Sequence, residues 1–221
     1  MRRTTRFLRM AASLIVILSV GGVVWLAAAE EAEDATPKSQ EHPASFPLST
    51  SGEWSMERLL ALDYDEVLAL WKTLPAVDMA ELNGHYQGIV PNGGDSERQK
   101  GLADFMYNEG SDRGYWLGKA YKPLTATTGE GYNRWRFPGG KIVRNLRFGT
   151  KMGESLIDGK PAFLMNYGDF NDTTLIDEIR KLDDYVYLGM GTTETEDGKR
   201  STPGHFALVG PTDEWIGAGD S

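Results

Sequence analysis

The chain has no cysteine and only three histidines in 221 residues. The first absence removes disulfides, thiol catalysis and thiolate metal sites together. The second leaves little for imidazole chemistry. His42 lies in a Pro/Ser/Glu-rich stretch, while His85 and His205 have no ligand partner near them in sequence, so a structural or exposed role is the better reading of each. No His-Glu-x-x-His pair occurs. Gly153-Glu154-Ser155-Leu156-Ile157 opens like a nucleophile elbow but carries Ile157 where the second glycine belongs. Gly189-Met190-Gly191 lacks the third glycine of a dinucleotide loop, and no Ser-x-x-Lys pair is present. Asp169-Phe170-Asn171-Asp172 begins like a calcium loop. An EF-hand counted from Asp169 needs glycine at Thr174 and glutamate at Arg180, so a turn with hydrogen-bonding side chains fits better. The sequence thus points to no metal and no cofactor.

Positive charge is also scarce. Lysine and arginine total 23 against 32 acids, a formal net charge of −9. Residues 1–29 hold four arginines and no acid, so removing them leaves the remainder at −13. An acidic body argues against nucleic acid and against peripheral binding to anionic lipid surfaces. It leaves an enclosed apolar or anionic ligand open, because a buried site has its own local field.

Only one apolar run approaches membrane length. Met10–Ala29 is uncharged, follows Arg2, Arg3, Arg6 and Arg9, and ends in Ala27-Ala28-Ala29 before Glu30. This pattern predicts a signal peptide cleaved near Ala29, or a single N-terminal membrane anchor with its start on the cytoplasmic side. Either way the body is expected to be exported to the periplasmic or extracytoplasmic side. Residues 30–52, rich in Glu, Ala, Pro, Ser and Thr, read as a disordered linker. Residues 53–221 are then the folded domain.

That domain opens with a helical lead. Asp63 and Glu66 have capping-box spacing, Val67, Leu68, Leu70, Trp71 and Leu74 make an apolar stripe, and Pro75 stops it. The lead could plug a barrel or lie on one sheet. Asp78 and Glu81 start another short turn. Past Pro91-Asn92-Gly93-Gly94, a helix capped by Asp95 or Ser96 is expected to reach about Asn108. The rest reads as β-structure: 115–121, 132–137, 141–151, 154–157, 161–167, 185–193 and 205–209. The separators are turn-formers, with Asp158-Gly159 the strongest hairpin signal. With the strand around Tyr86 this makes about eight short strands, mainly in meander order, which is enough to close an antiparallel barrel.

The Tyr86 strand organises this reading. In Gly84-His85-Tyr86-Gln87-Gly88 an aromatic lies two residues from a glycine on each side, so alternation puts all three on one face. The order of a helix ending in Leu74-Pro75, this pentapeptide, a second helix and Trp116-Leu117-Gly118-Lys119-Ala120-Tyr121 resembles the bacterial GXWXG proteins. These are a lipocalin-like, calycin-type family of unsettled function. The likeness spans roughly residues 60–124, with Tyr86 where the family carries tryptophan. Residues 175–180, Tyr187-Leu188-Gly189 and Phe206-Ala207-Leu208 resemble closing strands of the same kind of protein. The resemblance implies a calycin-like barrel holding a lipid or other hydrophobic small molecule, and supplies no catalytic residues.

The expected ligand-binding residues are the strand aromatics Tyr86, Trp116, Tyr121, Trp135, Tyr167, Tyr187 and Phe206, with Phe137 a further aromatic and Met165 a deformable filler. Lys119 and Arg147 are cations within these strands. One facing inward could hold an anionic head group, although a cation on a barrel strand as readily faces water. Asp177, Glu178 and Arg180 read better as an exposed charge cluster or corner salt bridge than as acid/base machinery. Three functions follow: a binder of a hydrophobic small molecule in the envelope, an enzyme acting on a bound lipid-like substrate, or a packed barrel serving as an anchored interaction module. A continuous internal cavity separates the first two from the third.

Overall fold

The computed structural model describes Trp54, residues 56–91 and residues 97–219. The expected leader, the linker and the helix cap at Asp95 or Ser96 lie outside these residues. No helix among the described residues is long and apolar enough to cross a membrane.

The lead folds as its caps dictate. Helix α1 (Met56–Leu60) is followed by α2 (Tyr64–Trp71). Asp63 Oδ1 accepts from the Glu66 amide at 2.9 Å, and Glu66 Oε2 accepts from the Asp63 amide at 2.9 Å. The buried face of the lead, Leu59, Val67 and Trp71, packs on Leu188, Met190 and Ala207, which point outward from the barrel wall. The lead is therefore a layer on the wall. What enters the barrel is the segment after Pro75: Val77, Met79 and Leu82, around a 3-10 turn at Met79–Glu81, join the interior cluster.

Strand β1 (Gly84–Ile89) is separated by helix α3 (Glu97–Met106) and the two-residue β2 (Tyr107–Asn108) from a long meander. The meander comprises β3 (Gly114–Pro123), β4 (Thr128–Arg136), β5 (Ile142–Glu154), β6 (Pro161–Asn166), β7 (Ile176–Asp183), β8 (Val186–Thr192) and β9 (Gly204–Asp213). Each strand pairs antiparallel with the next, and β1 lies between β9 and β3, closing an eight-stranded barrel with β2 as one extra strand on β3. The protein is mainly β, with few helices.

Two glycines show why β1 needs its sequence. A Cβ on Gly88 would stand 2.3 Å from the Trp116 ring, and one on Gly84 would stand 2.4 Å from the Asp213 carbonyl oxygen. Gly84 also has φ +103°, which side chains rarely adopt. Between them Tyr86 is fully buried, edge-on to Tyr121 and Tyr187 at centroid distances of 5.5 and 5.6 Å.

Two strand expectations need correction. Residues 155–157 turn rather than extend, because the Ser155 hydroxyl accepts from the amides of Ile157 and Asp158 and draws the backbone into a loop. The Asp158-Gly159 hairpin forms, but with a six-residue connection, 155–160. In exchange β7, which alternation missed and only the family resemblance suggested, is a full strand. Its Asp177, Glu178, Arg180 and Lys181 break the apolar alternation, and each is paired or hydrogen-bonded in the fold.

Candidate functional site

Nine of the ten expected site residues converge. Tyr86, Trp116, Tyr121, Trp135, Met165, Tyr167, Tyr187 and Phe206 share one buried cluster, and Lys119 lies among them, 2% exposed. The reason Lys119 faces inward is local. A register shift between Trp116 and Gly118 reverses the alternation of β3, so Trp116 and Lys119, three apart, both point to the interior. Gly118, at φ +128°, permits this bend where the strand presses on the Tyr86 carbonyl.

Arg147 does not join them. Its side chain is 45% exposed, pairs with Glu130 at 2.8 Å and lies over the Phe170 ring on the outside of the barrel. The expectation that it could face inward is corrected: it lies beside Phe148, which takes the inward position, so alternation sends Arg147 to water.

The interior cation is fully used by its neighbours. The Lys119 ammonium donates to Asp177 Oδ2 at 2.8 Å, to Asn133 Oδ1 at 3.1 Å and to the Tyr167 hydroxyl. An ammonium has three donors, and all three are taken. Tyr167 in turn donates to Asp177 Oδ2 at 2.9 Å and accepts from Asn133 Nδ2 at 3.0 Å. Asn133 completes its set by accepting from the Trp116 indole at 3.0 Å and donating to the Leu146 carbonyl at 3.3 Å. Four rings, those of Phe206, Tyr167, Phe148 and Trp116, have centroids 5.0 to 5.6 Å from the ammonium nitrogen. Burial pulls the Lys119 pKa below the usual lysine range, opposed by Asp177. Burial also pushes the Tyr167 and Tyr121 phenols well above theirs.

Asp177 and Asn133 were missed as interior residues. Asn133 alternates with Trp135 along β4, so its inward face was legible. Asp177 was not: an acid amid charged neighbours reads as surface, whereas here it is 6% exposed. Its companions are buried too. On the outer face of β7, Arg180 makes a two-pronged pair with Asp158 at 3.0 and 2.7 Å, lies 3.9 Å from the Trp71 ring centroid and donates to the Trp71 carbonyl. Glu178, also buried, accepts from the Leu156 amide at 2.9 Å, and burial raises its pKa. The exposed charge cluster expected of Asp177, Glu178 and Arg180 is thus corrected to two buried groups on opposite faces of one strand. Covering layers make the difference: the barrel interior on one side, the helical lead on the other.

The interior is occupied by side chains. Nine buried rings share it with Met165, Ile179 and Leu208, and Tyr121 donates to the Met165 sulfur at 3.1 Å. Two clefts stand out among the described residues, and both open to solvent. One of about 580 Å³ lies by Asn83, Lys122 and Trp215, and one of about 450 Å³ by Arg144, Leu146, Arg147 and Phe170.

No family model matches the chain, and no curated protein matches it. Among solved structures it is similar to a crystal structure of a protein from Thermomonospora curvata, at 21% identity over 66% of this chain and 86% of that one, with a TM-score of 0.47.

Proposed function

We propose that this chain is a packed barrel on the extracytoplasmic side that works through its outer surface as an anchored interaction module. The observation that carries this is the saturation of the interior network. A buried cation left unpaired would call for an anionic ligand, because the desolvation cost is large. Asp177, Asn133 and Tyr167 already meet that need with all three donors of Lys119. The same saturation speaks against the enzyme reading, since neither the ammonium nor the phenol has an open position for a substrate.

A hydrophobic ligand in the lumen is the second reading, and one observation favours it. The Trp135 indole N–H is buried within the interior cluster with no hydrogen-bond partner among the described residues. A ligand acceptor there would satisfy it.

Titrating fatty acids against tryptophan fluorescence separates the two. The packed reading expects no saturable quenching, and no lipid in an organic extract of the purified protein. Saturable quenching that weakens on Trp135→Phe would replace it with the ligand-binding reading.

A further inference from the structure

The net charge of the chain conceals a strongly uneven surface. Between Glu130 and Glu154 lie six cations, Arg134, Arg136, Lys141, Arg144, Arg147 and Lys151, and no acid. Taking those six out leaves the rest of residues 30–221 at −19. The stretch is the β4–β5 hairpin, and its cations are all at least partly exposed. Among the described residues only Arg136 and Arg147 have an acid partner, Glu109 and Glu130.

Register sharpens the point. Arg134 and Arg144 are directly opposed across the two strands, on the face turned away from Trp135 and the interior. Like charges in that relation disfavour the pairing, so the fold carries a local cost that an anion laid over the hairpin would relieve. Apolar groups stand among the cations: Ile142 is 47% exposed, Leu146 40% and Phe170 48%. Leu146 is also the one non-glycine residue with positive φ among those described, at 49°. Arg144, Leu146, Arg147 and Phe170 line the open cleft of about 450 Å³ beside the hairpin.

We propose that the outer face of the β4–β5 hairpin docks on an anionic phospholipid surface, with Arg134, Arg144 and Arg147 at the head-group phosphates and Ile142, Leu146 and Phe170 entering the interface. This names a partner for the outer-surface reading. Cations interleaved with exposed apolar side chains suit a charged interface with hydrocarbon beneath it. The acidic remainder is repelled by the same lipid, so only one face can approach. Chain length agrees. Residues 30–53 lie between the apolar run ending at Ala29 and the described barrel, and that many residues reach at most ~80 Å. An inserted run would hold the domain as a whole within that distance of the bilayer. A second copy of the chain would bring an equally acidic wall, but only head to tail, a heterologous contact that builds rings or filaments of the chain.

The absence of cysteine makes a clean test. Full chain carrying only Ile142→Cys is labelled with an environment-sensitive fluorophore and mixed with phosphatidylcholine vesicles, with and without phosphatidylglycerol. The expected result is a blue shift that requires phosphatidylglycerol and reverses in high salt. The same probe at Asp65→Cys on α2 should not shift. Each cation near the surface is worth roughly fivefold in lipid binding, so Arg134→Gln with Arg144→Gln should lower the docked fraction relative to free by about 25-fold. That pair also removes a like-charge opposition, so folding should survive. Emission at position 142 that ignores lipid charge overturns the proposal. So does an equal shift at position 65, or a shift that grows with protein concentration without vesicles, which would assign the face to self-association. Fatty-acid quenching would overturn the packed-lumen reading and leave the vesicle result standing, and vesicle failure would leave the lumen untouched.

Discussion

Lys119 is the residue on which the interior turns. In hydrocarbon-like surroundings an ammonium is costly, and three oxygen acceptors and four rings are what hold it there. Lys119→Met should destabilise by ~3–5 kcal/mol, because Asp177 is left buried without its cation. Adding Asp177→Leu should recover more than half of the loss, since an apolar replacement of both partners is often neutral. Urea unfolding of the single and double variants measures this. A double variant as unstable as the single would mean that the pair is not the coupled unit. Lys119 was legible as a strand cation, yet its direction depended on the register shift at Trp116. Nothing in the residue types announces an inserted residue, so alternation alone left both faces open.

At the scale of elements, the contact between β7 and the lead is the most informative. Glu178 sits in that layer, and burial raises its pKa, with Ser155, the Leu156 amide and Arg180 opposing. A raised carboxyl pKa means that the folded state holds the proton more tightly than the unfolded one. The stability from this group is complete below its unfolded pKa, near 4.5, and is lost as pH rises through the folded value. Glu178→Gln keeps the neutral form at every pH. Its melting temperature should therefore exceed the native one at neutral pH, with the gap closing as the native group protonates below about 4.5. Melting curves across that range decide it, and a gap that does not change with pH would refute the burial account. The lead shows how an element can be legible while its place is not. Capping and stripe specified α2, since both are local. Whether the stripe met the wall or the mouth depended on where the barrel left apolar surface uncovered, and that surface is Leu188, Met190 and Ala207.

For the whole molecule, closure and charge placement matter most. All described apolar packing belongs to the barrel and its wall layer, beginning at Met56. A chain beginning near Glu30 should therefore be soluble and folded, since it lacks only the membrane-length apolar run. Size exclusion with circular dichroism tests this, and aggregation of that chain beside a folded full chain in detergent would make residues 10–29 part of the fold. The net charge is a coarse guide at this scale. An acidic total argued against anionic lipid, but a sum over the chain carries no information about faces. The six cations are already contiguous in the sequence, and the pairing of β4 with β5 sets Arg134 opposite Arg144.

By itself the sequence determined the β-rich class, the turns, the caps of the lead and the aromatic inward face, because each follows from neighbours a few residues apart. It also identified most of the residues that fill the barrel, since period-two alternation survives translation into structure wherever a strand is regular. Tertiary structure alone decided that Asp177 would face Lys119 from 58 residues away, that the helical lead would cover the wall, and that Arg134 would oppose Arg144. Those outcomes depend on strand register and closure. Register is set by long-range pairing and by bulges, whose energies are spread over many contacts and written at no single position.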